Sequence, residues 1–180
     1  MADRVLVDGR AFLEGPRWRS DRLWFSDVPA GEVLSVDLEG HCRLEASIAG
    51  SPSGLGWLPN GTLLVARGAP AAVMAVSREG KVSQYADLTG VAAFAPNDMV
   101  VDRSGRAWLG TCDIGGIPSP SPSQVLCVDT DGSVEVIDDG MAFPNGSVVT
   151  ADGATLIVAE TFGSCLTAFT IGTGGRAADK

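Results

Sequence analysis

Short apolar runs, four or five residues long and set off by polar turns, recur along the chain at a near-constant spacing. Leu23-Trp24-Phe25-Ser26-Asp27, Leu63-Leu64-Val65-Ala66, Ala107-Trp108-Leu109-Gly110 and Leu156-Ile157-Val158-Ala159-Glu160 begin at 23, 63, 107 and 156, that is 40, 44 and 49 residues apart. Each is followed by a second run, Val33-Leu34-Ser35-Val36-Asp37, Val73-Met74-Ala75-Val76, Val125-Leu126-Cys127-Val128-Asp129 and Leu166-Thr167-Ala168-Phe169. Runs this short, rich in branched and aromatic residues, predict strands. Their period is that of a propeller blade of four antiparallel strands. Asn60-Gly61, Ser104-Gly105 and Asp152-Gly153 stand just before a first run, and Glu39-Gly40, Glu79-Gly80 and Asp131-Gly132 follow a second run. Both places need the positive φ of a hairpin turn. The expected fold is all-β, a β-propeller with about four blades in this chain and almost no helix.

Composition narrows the class. The 180 residues are 45% hydrophobic and 19% charged, which suits one well-buried domain. We expect that domain over residues 1–171 and a disordered tail over 172–180, where no apolar period continues. Twenty-two acidic against thirteen basic residues give a net charge of −9 and no basic run, which excludes nucleic acid as a natural partner. No apolar stretch approaches the roughly 18 residues of a membrane span, and the first residues lead into no signal-peptide core. The expectation is a cytoplasmic protein with no membrane partner. Cys42, Cys112, Cys127 and Cys165 lack metal-ligand spacing and are expected reduced, Cys127 and Cys165 packing in strands as small hydrophobes. From Thr111 to Gln124 runs a Pro- and Ser-rich loop, either a lid over one end of the hub or a surface insertion.

Each repeat also opens with a polar residue just before its innermost strand: Glu14, Ser53, Asn97 and Asn145. In a propeller these positions converge on the central channel. Glu14, Asn97 and Asn145 would then offer one carboxylate and two amide oxygens to one point, the chemistry of a hard cation such as calcium. The same Asn, Asp and Gly residues also suit plain turns, and that reading stays open. Asp98 and Asp113 could face the channel and supply a carboxylate. Ser53 reads as a spectator, and His41, in a polar turn, has no partner for catalysis. Glu160 closes a first run as Asp27 does and reads as a solvated strand end. Trp18, Trp24, Trp57 and Trp108 read as core between blades.

Four motifs in order, Leu13-Glu14-Gly15-Pro16-Arg17-Trp18, Ser53-Gly54-Leu55-Gly56-Trp57, Pro96-Asn97-Asp98-Met99 and Phe143-Pro144-Asn145-Gly146 with Val158-Ala159-Glu160-Thr161, resemble the SMP-30/gluconolactonase/LRE family over roughly residues 10 to 171. The resemblance implies a six-bladed-type propeller that binds a divalent cation and hydrolyses lactones or related esters. It implies Glu14 and Asn145 as direct metal ligands and Asn97 as a ligand of metal or substrate; Asp98, next to Asn97, is expected beside the substrate as well. The cation it implies is most simply Ca2+, with Zn2+, Mn2+ or Mg2+ as alternatives. The family's remaining ligand, an Asp that also looks like the general base, lies in a Pro-Asp-Gly motif one blade further on, and no Pro-Asp-Gly occurs here. The chain thus resembles the N-terminal two-thirds of such a propeller, and self-association through unclosed blade edges is expected. Where some sugar lactonases place an Arg, this chain has Ala95. The rival readings are a non-catalytic propeller that binds a metal, ligand or partner, and a phosphotriesterase-like or strictosidine-synthase-like propeller.

Overall fold

The computed structural model describes residues 3–172 and 177–178. The chain folds into four antiparallel sheets of four strands, each taken from consecutive strands of the sequence. The first blade holds β1 (Leu13–Arg19), β2 (Arg22–Asp27), β3 (Glu32–Val36) and β4 (Cys42–Ser47). The second holds β5 (Pro52–Trp57), β6 (Leu63–Arg67), β7 (Ala72–Val76) and β8 (Val82–Asp87). The third holds β9 (Ala95–Val101), β10 (Ala107–Cys112), β11 (Ser123–Val128) and β12 (Val134–Met141). The fourth holds β13 (Pro144–Val149), β14 (Thr155–Glu160), β15 (Cys165–Ile171) and the two-residue β16 (Ala177–Ala178). Among the described residues the one helical element is a single 3₁₀ turn, Ile114–Gly116, in the loop after β10. Gly61, Gly105 and Gly153 all take the positive φ that their hairpins require.

Strand alternation builds the core between blades. Along β2, Trp24 turns toward the second blade and packs with Val33, Ala46, Leu55 and Val65, whereas its neighbours Leu23 and Phe25 turn the other way, onto Leu34, Val36 and the entering segment Leu6-Val7. The next interface joins Leu64, Val73 and Leu88 to Met99, Leu109 and Leu126. The third joins Trp108, Val125 and Met141 to Leu156, Val158 and Phe169. Three of the four tryptophans fit this scheme; Trp18 is 55% exposed and is no core residue. It sits near the end of β1, paired across from Leu23. Cys165 is likewise exposed rather than packed. Of the tail expected to be disordered, residues 173–176 and 179–180 lie outside the described residues, but Ala177 and Ala178 pair with Ile171 and Thr170 as the outer strand of the fourth blade.

Candidate functional site

The hub is built by a device repeated in each blade. The innermost strand pairs with its neighbour at its first residues, slips by one, and resumes: between Glu14 and Arg17, Pro52 and Leu55, the residues opposite Thr111 and Leu109, and Pro144 and Ser147. A bulge of this kind leaves a residue unpaired and re-aims its side chain. Counted from the paired residues Leu13, Pro52, Pro96 and Pro144, the next residue is Glu14, still paired with Ser26 at the edge of its bulge, and Ser53, Asn97 and Asn145, which fall within theirs. All four line one cavity of about 280 Å3. They lie inside the innermost strands rather than before them, because the Gly- and Pro-rich motifs pair in spite of their weak strand pattern.

Close approach of the inner strands explains the small residues beside these positions. A Cβ on Gly54 would stand 2.5 Å from the backbone nitrogen of Met99 and 2.6 Å from the carbonyl of Asn97, so only glycine lets β5 and β9 come together. Ser53 Oγ donates to the Asn97 carbonyl at 2.9 Å, and Ser26 Oγ to the Ser53 carbonyl at 2.7 Å, carrying the tie from the first blade to the third. Ser53 therefore lines the cavity as a strand clamp.

The two amides meet: Asn97 Nδ2 donates to Asn145 Oδ1 at 3.3 Å, and Asn145 Nδ2 donates to Thr161 Oγ1 at 3.1 Å. Burial raises the Glu14 carboxyl above its ordinary range, and the nearby Asp98 charge adds to this, opposed by the Gly15 backbone N–H. Cys112, also in the cavity wall, is pushed up to about 11 by burial and by the negative charges of Glu14 and Asp113, so its thiol is inert at neutral pH. The donor set is one carboxylate and amide oxygens. Among the described residues no three His, Cys, Asp or Glu gather as metal ligands. Such donors suit a hard divalent cation and not a soft one, so the residues present fit the cation that the sequence suggested.

Other sequence candidates fall elsewhere. Asp98 is buried but is not among the cavity-lining residues: its Oδ1 accepts from Arg17 at 2.7 Å and from the Met99 N–H at 2.9 Å. Arg17 also donates to the Met99 carbonyl at 2.6 Å. Asp113 accepts from Gly116 and Ser121 N–H groups and shapes the loop. His41 is exposed, beside Asp37. Asp27 and Glu160 are not solvated strand ends. Asp27, 2% exposed, accepts from the backbone N–H groups of Ala11 and Phe12, and Glu160 accepts from that of Ala142, so each clasps the chain as it enters an innermost strand. Their shared place at the end of equivalent runs was the signal that could have shown this. Nothing in the sequence pairs Arg17 with Asp98.

Comparison with known proteins matches residues 12–180 to the SMP-30/Gluconolactonase/LRE-like region. The chain is similar to pentonolactonase XacC of Haloferax volcanii, 30% identical over 169 residues, which cover 88% of this chain and 53% of that protein. It thus spans about half the length of this curated relative. Among solved structures it resembles a gluconolactonase of Xanthomonas campestris, with a TM-score of 0.77 and 26% identity, over 97% of this chain and 63% of that one. It also resembles regucalcin of Agrobacterium tumefaciens, described as a calcium-binding protein, with a TM-score of 0.83 and 20% identity, over 99% of this chain and 61% of that one.

Proposed function

The chain belongs to the SMP-30/gluconolactonase/LRE-like family, and from that premise we propose that it forms part of the hub of a lactone hydrolase assisted by a divalent cation, calcium foremost. The observation that carries this reading is the shared register of Glu14, Asn97 and Asn145, which lets equivalent positions of three blades put oxygen donors into one cavity. Glu14 and Asn145 would hold the cation, and Asn97 the cation or the substrate oxygen. Bound there, a divalent cation would polarise the lactone carbonyl and favour negative charge on its oxygen.

The chain's own residues supply orientation and exclusion of water. The Asn97 to Asn145 hydrogen bond fixes the two amides relative to each other, and Thr161 fixes the second. The loop after β10 contributes Ile114 and Ile117 to the cavity, which supports the lid reading of that segment. In the reaction a water oxygen bonds to the carbonyl carbon, the ring C–O bond breaks, and the ring oxygen leaves with a proton, giving a hydroxy acid. Asp98 is held by Arg17 and is not offered as the base.

Calorimetric titration of Ca2+ and Mn2+ into the purified chain, with hydrolysis of glucono-δ-lactone measured with and without a chelator, tests this. We expect one ion per chain, at least tenfold weaker binding in Glu14→Gln, and turnover that the chelator stops. Equal binding by the wild type and Glu14→Gln would sink the cation site, and binding without turnover would favour the non-catalytic reading.

A further inference from the structure

The cavity is two-sided in its chemistry. Its polar side chains sit on the hub floor, Glu14, Ser53, Asn97 and Asn145, whereas its wall and rim are Phe12, Val28, Ala95, Ile114, Ile117 and Phe143. Among the described lining residues, the side chains away from the floor that carry a heteroatom are Ser51 and the buried Cys112 thiol. Phe12, Ile114 and Ile117 are 57%, 63% and 50% exposed, so large apolar groups stand half in water around one mouth. Scattered single exposures need no explanation; convergence on one cavity marks a binding surface.

The wall is also held in place. Phe143 keeps a φ of 63°, a left-handed conformation that a bulky residue rarely adopts. Its carbonyl accepts from Thr161 N–H at 3.1 Å, and its ring meets Phe162 edge-on at 5.3 Å. On the opposite side Asp113 ties the loop through Gly116 and Ser121, both at 3.0 Å, which fixes the short turn that presents the two isoleucines. A wall already ordered before binding costs little to use.

Resting on the lactonase reading and deepening it, we infer that the ring substituent lying against this wall is a hydrocarbon, so that the site takes alkyl- or aryl-substituted lactones ahead of polyhydroxylated ones. Each sugar hydroxyl placed here would leave water without a partner, a loss that no hydrocarbon suffers. Each methylene buried against the wall strengthens binding by about fourfold. A cavity of about 280 Å3 is of the size that holds a small organic ligand. A five-membered lactone with a short side chain fills it.

The test compares γ-octalactone with ribono-γ-lactone, two γ-lactones of about ten non-hydrogen atoms each, which is the size such a pocket holds. We expect kcat/KM for the alkyl lactone to be at least tenfold higher. Ile114→Asn and Ile117→Asn, each at an exposed position and checked by thermal melting, should lower that ratio at least threefold, chiefly through KM. Equal or better use of the sugar lactone, or a ratio unmoved by both variants, overturns the inference. If neither lactone is hydrolysed, the lactonase reading itself fails. Saturation-transfer NMR on the two lactones then still reads the wall: preferential transfer to γ-octalactone, reduced in Ile117→Asn, supports it, and equal transfer overturns it.

Discussion

Arg17 reaches from the first blade to the third, 81 residues along the chain, and places its guanidinium between the Asp98 carboxylate and the Met99 carbonyl. Both partners are largely shielded from solvent, so removing the cation leaves a buried carboxylate with the Met99 N–H but no countercharge. Arg17→Met is therefore expected to cost about 1–3 kcal/mol, read as a lower thermal midpoint. Asp98→Asn in the same background should recover part of the loss, as a coupled pair does. Sequence reading found the donors of the hub because they share one position in a repeat. It could not find the Arg17 to Asp98 tie, because that contact depends on how far the propeller curves and not on any local pattern. Asp98 was read as a channel residue for the same reason: its neighbour Asn97 does line the cavity, and one step along a bulged strand is enough to bury the next side chain.

At the level of strands, the runs that end in water or in blade interfaces were the legible ones. β2, β6, β10 and β14, with the strand that follows each, carry the branched and aromatic residues that alternation requires. The innermost strands are poor in them because the hub is narrow, and at Gly15 and Gly54 a Cβ would run into the backbone of the next innermost strand. Those strands were thus seen as motifs and placed two or three residues late. The turn from β3 to β4 offers a pH test. The His41 backbone N–H, which contributes most, then the His41 ring and Arg22 hold the Asp37 carboxyl down from 3.8 to about 2, against the opposing effect of burial. The folded chain therefore takes up this proton at lower pH than the unfolded chain. The stabilisation is complete above about pH 4 and is lost as pH falls toward 2. Thermal midpoints of the wild type and Asp37→Asn should differ at pH 5 and converge near pH 2; a gap that stays constant with pH would refute the assignment.

Across the whole molecule the two end blades differ from the inner two. The outward face of the first blade bears a second cavity of about 350 Å3, lined by Leu6, Leu13, Leu23 and Phe25 among others, and the fourth blade leaves Leu166 73% exposed and Val148 57% exposed. Apolar faces of this kind associate in water. Sedimentation velocity of the chain at rising concentration is expected to show reversible self-association, with dye binding to exposed apolar surface at low concentration. A single monomeric species at all concentrations, with no dye binding, would contradict it. The four-blade arrangement itself was fully legible, since a repeat of 40 to 49 residues with paired turn glycines has few other solutions.

Because each sheet is made from strands that follow one another in the chain, every pairing partner is close at hand as the polypeptide emerges during synthesis. Contacts of such short sequence separation form quickly, blade after blade from the N-terminus. The hub does not share that independence. Glu14 is made early, but the Asn97 to Asn145 bond waits for the fourth blade to arrive. A nascent chain halted after β12 would carry three completed sheets but would still lack Phe143 and Asn145, so the cavity closes only when the fourth blade begins to form.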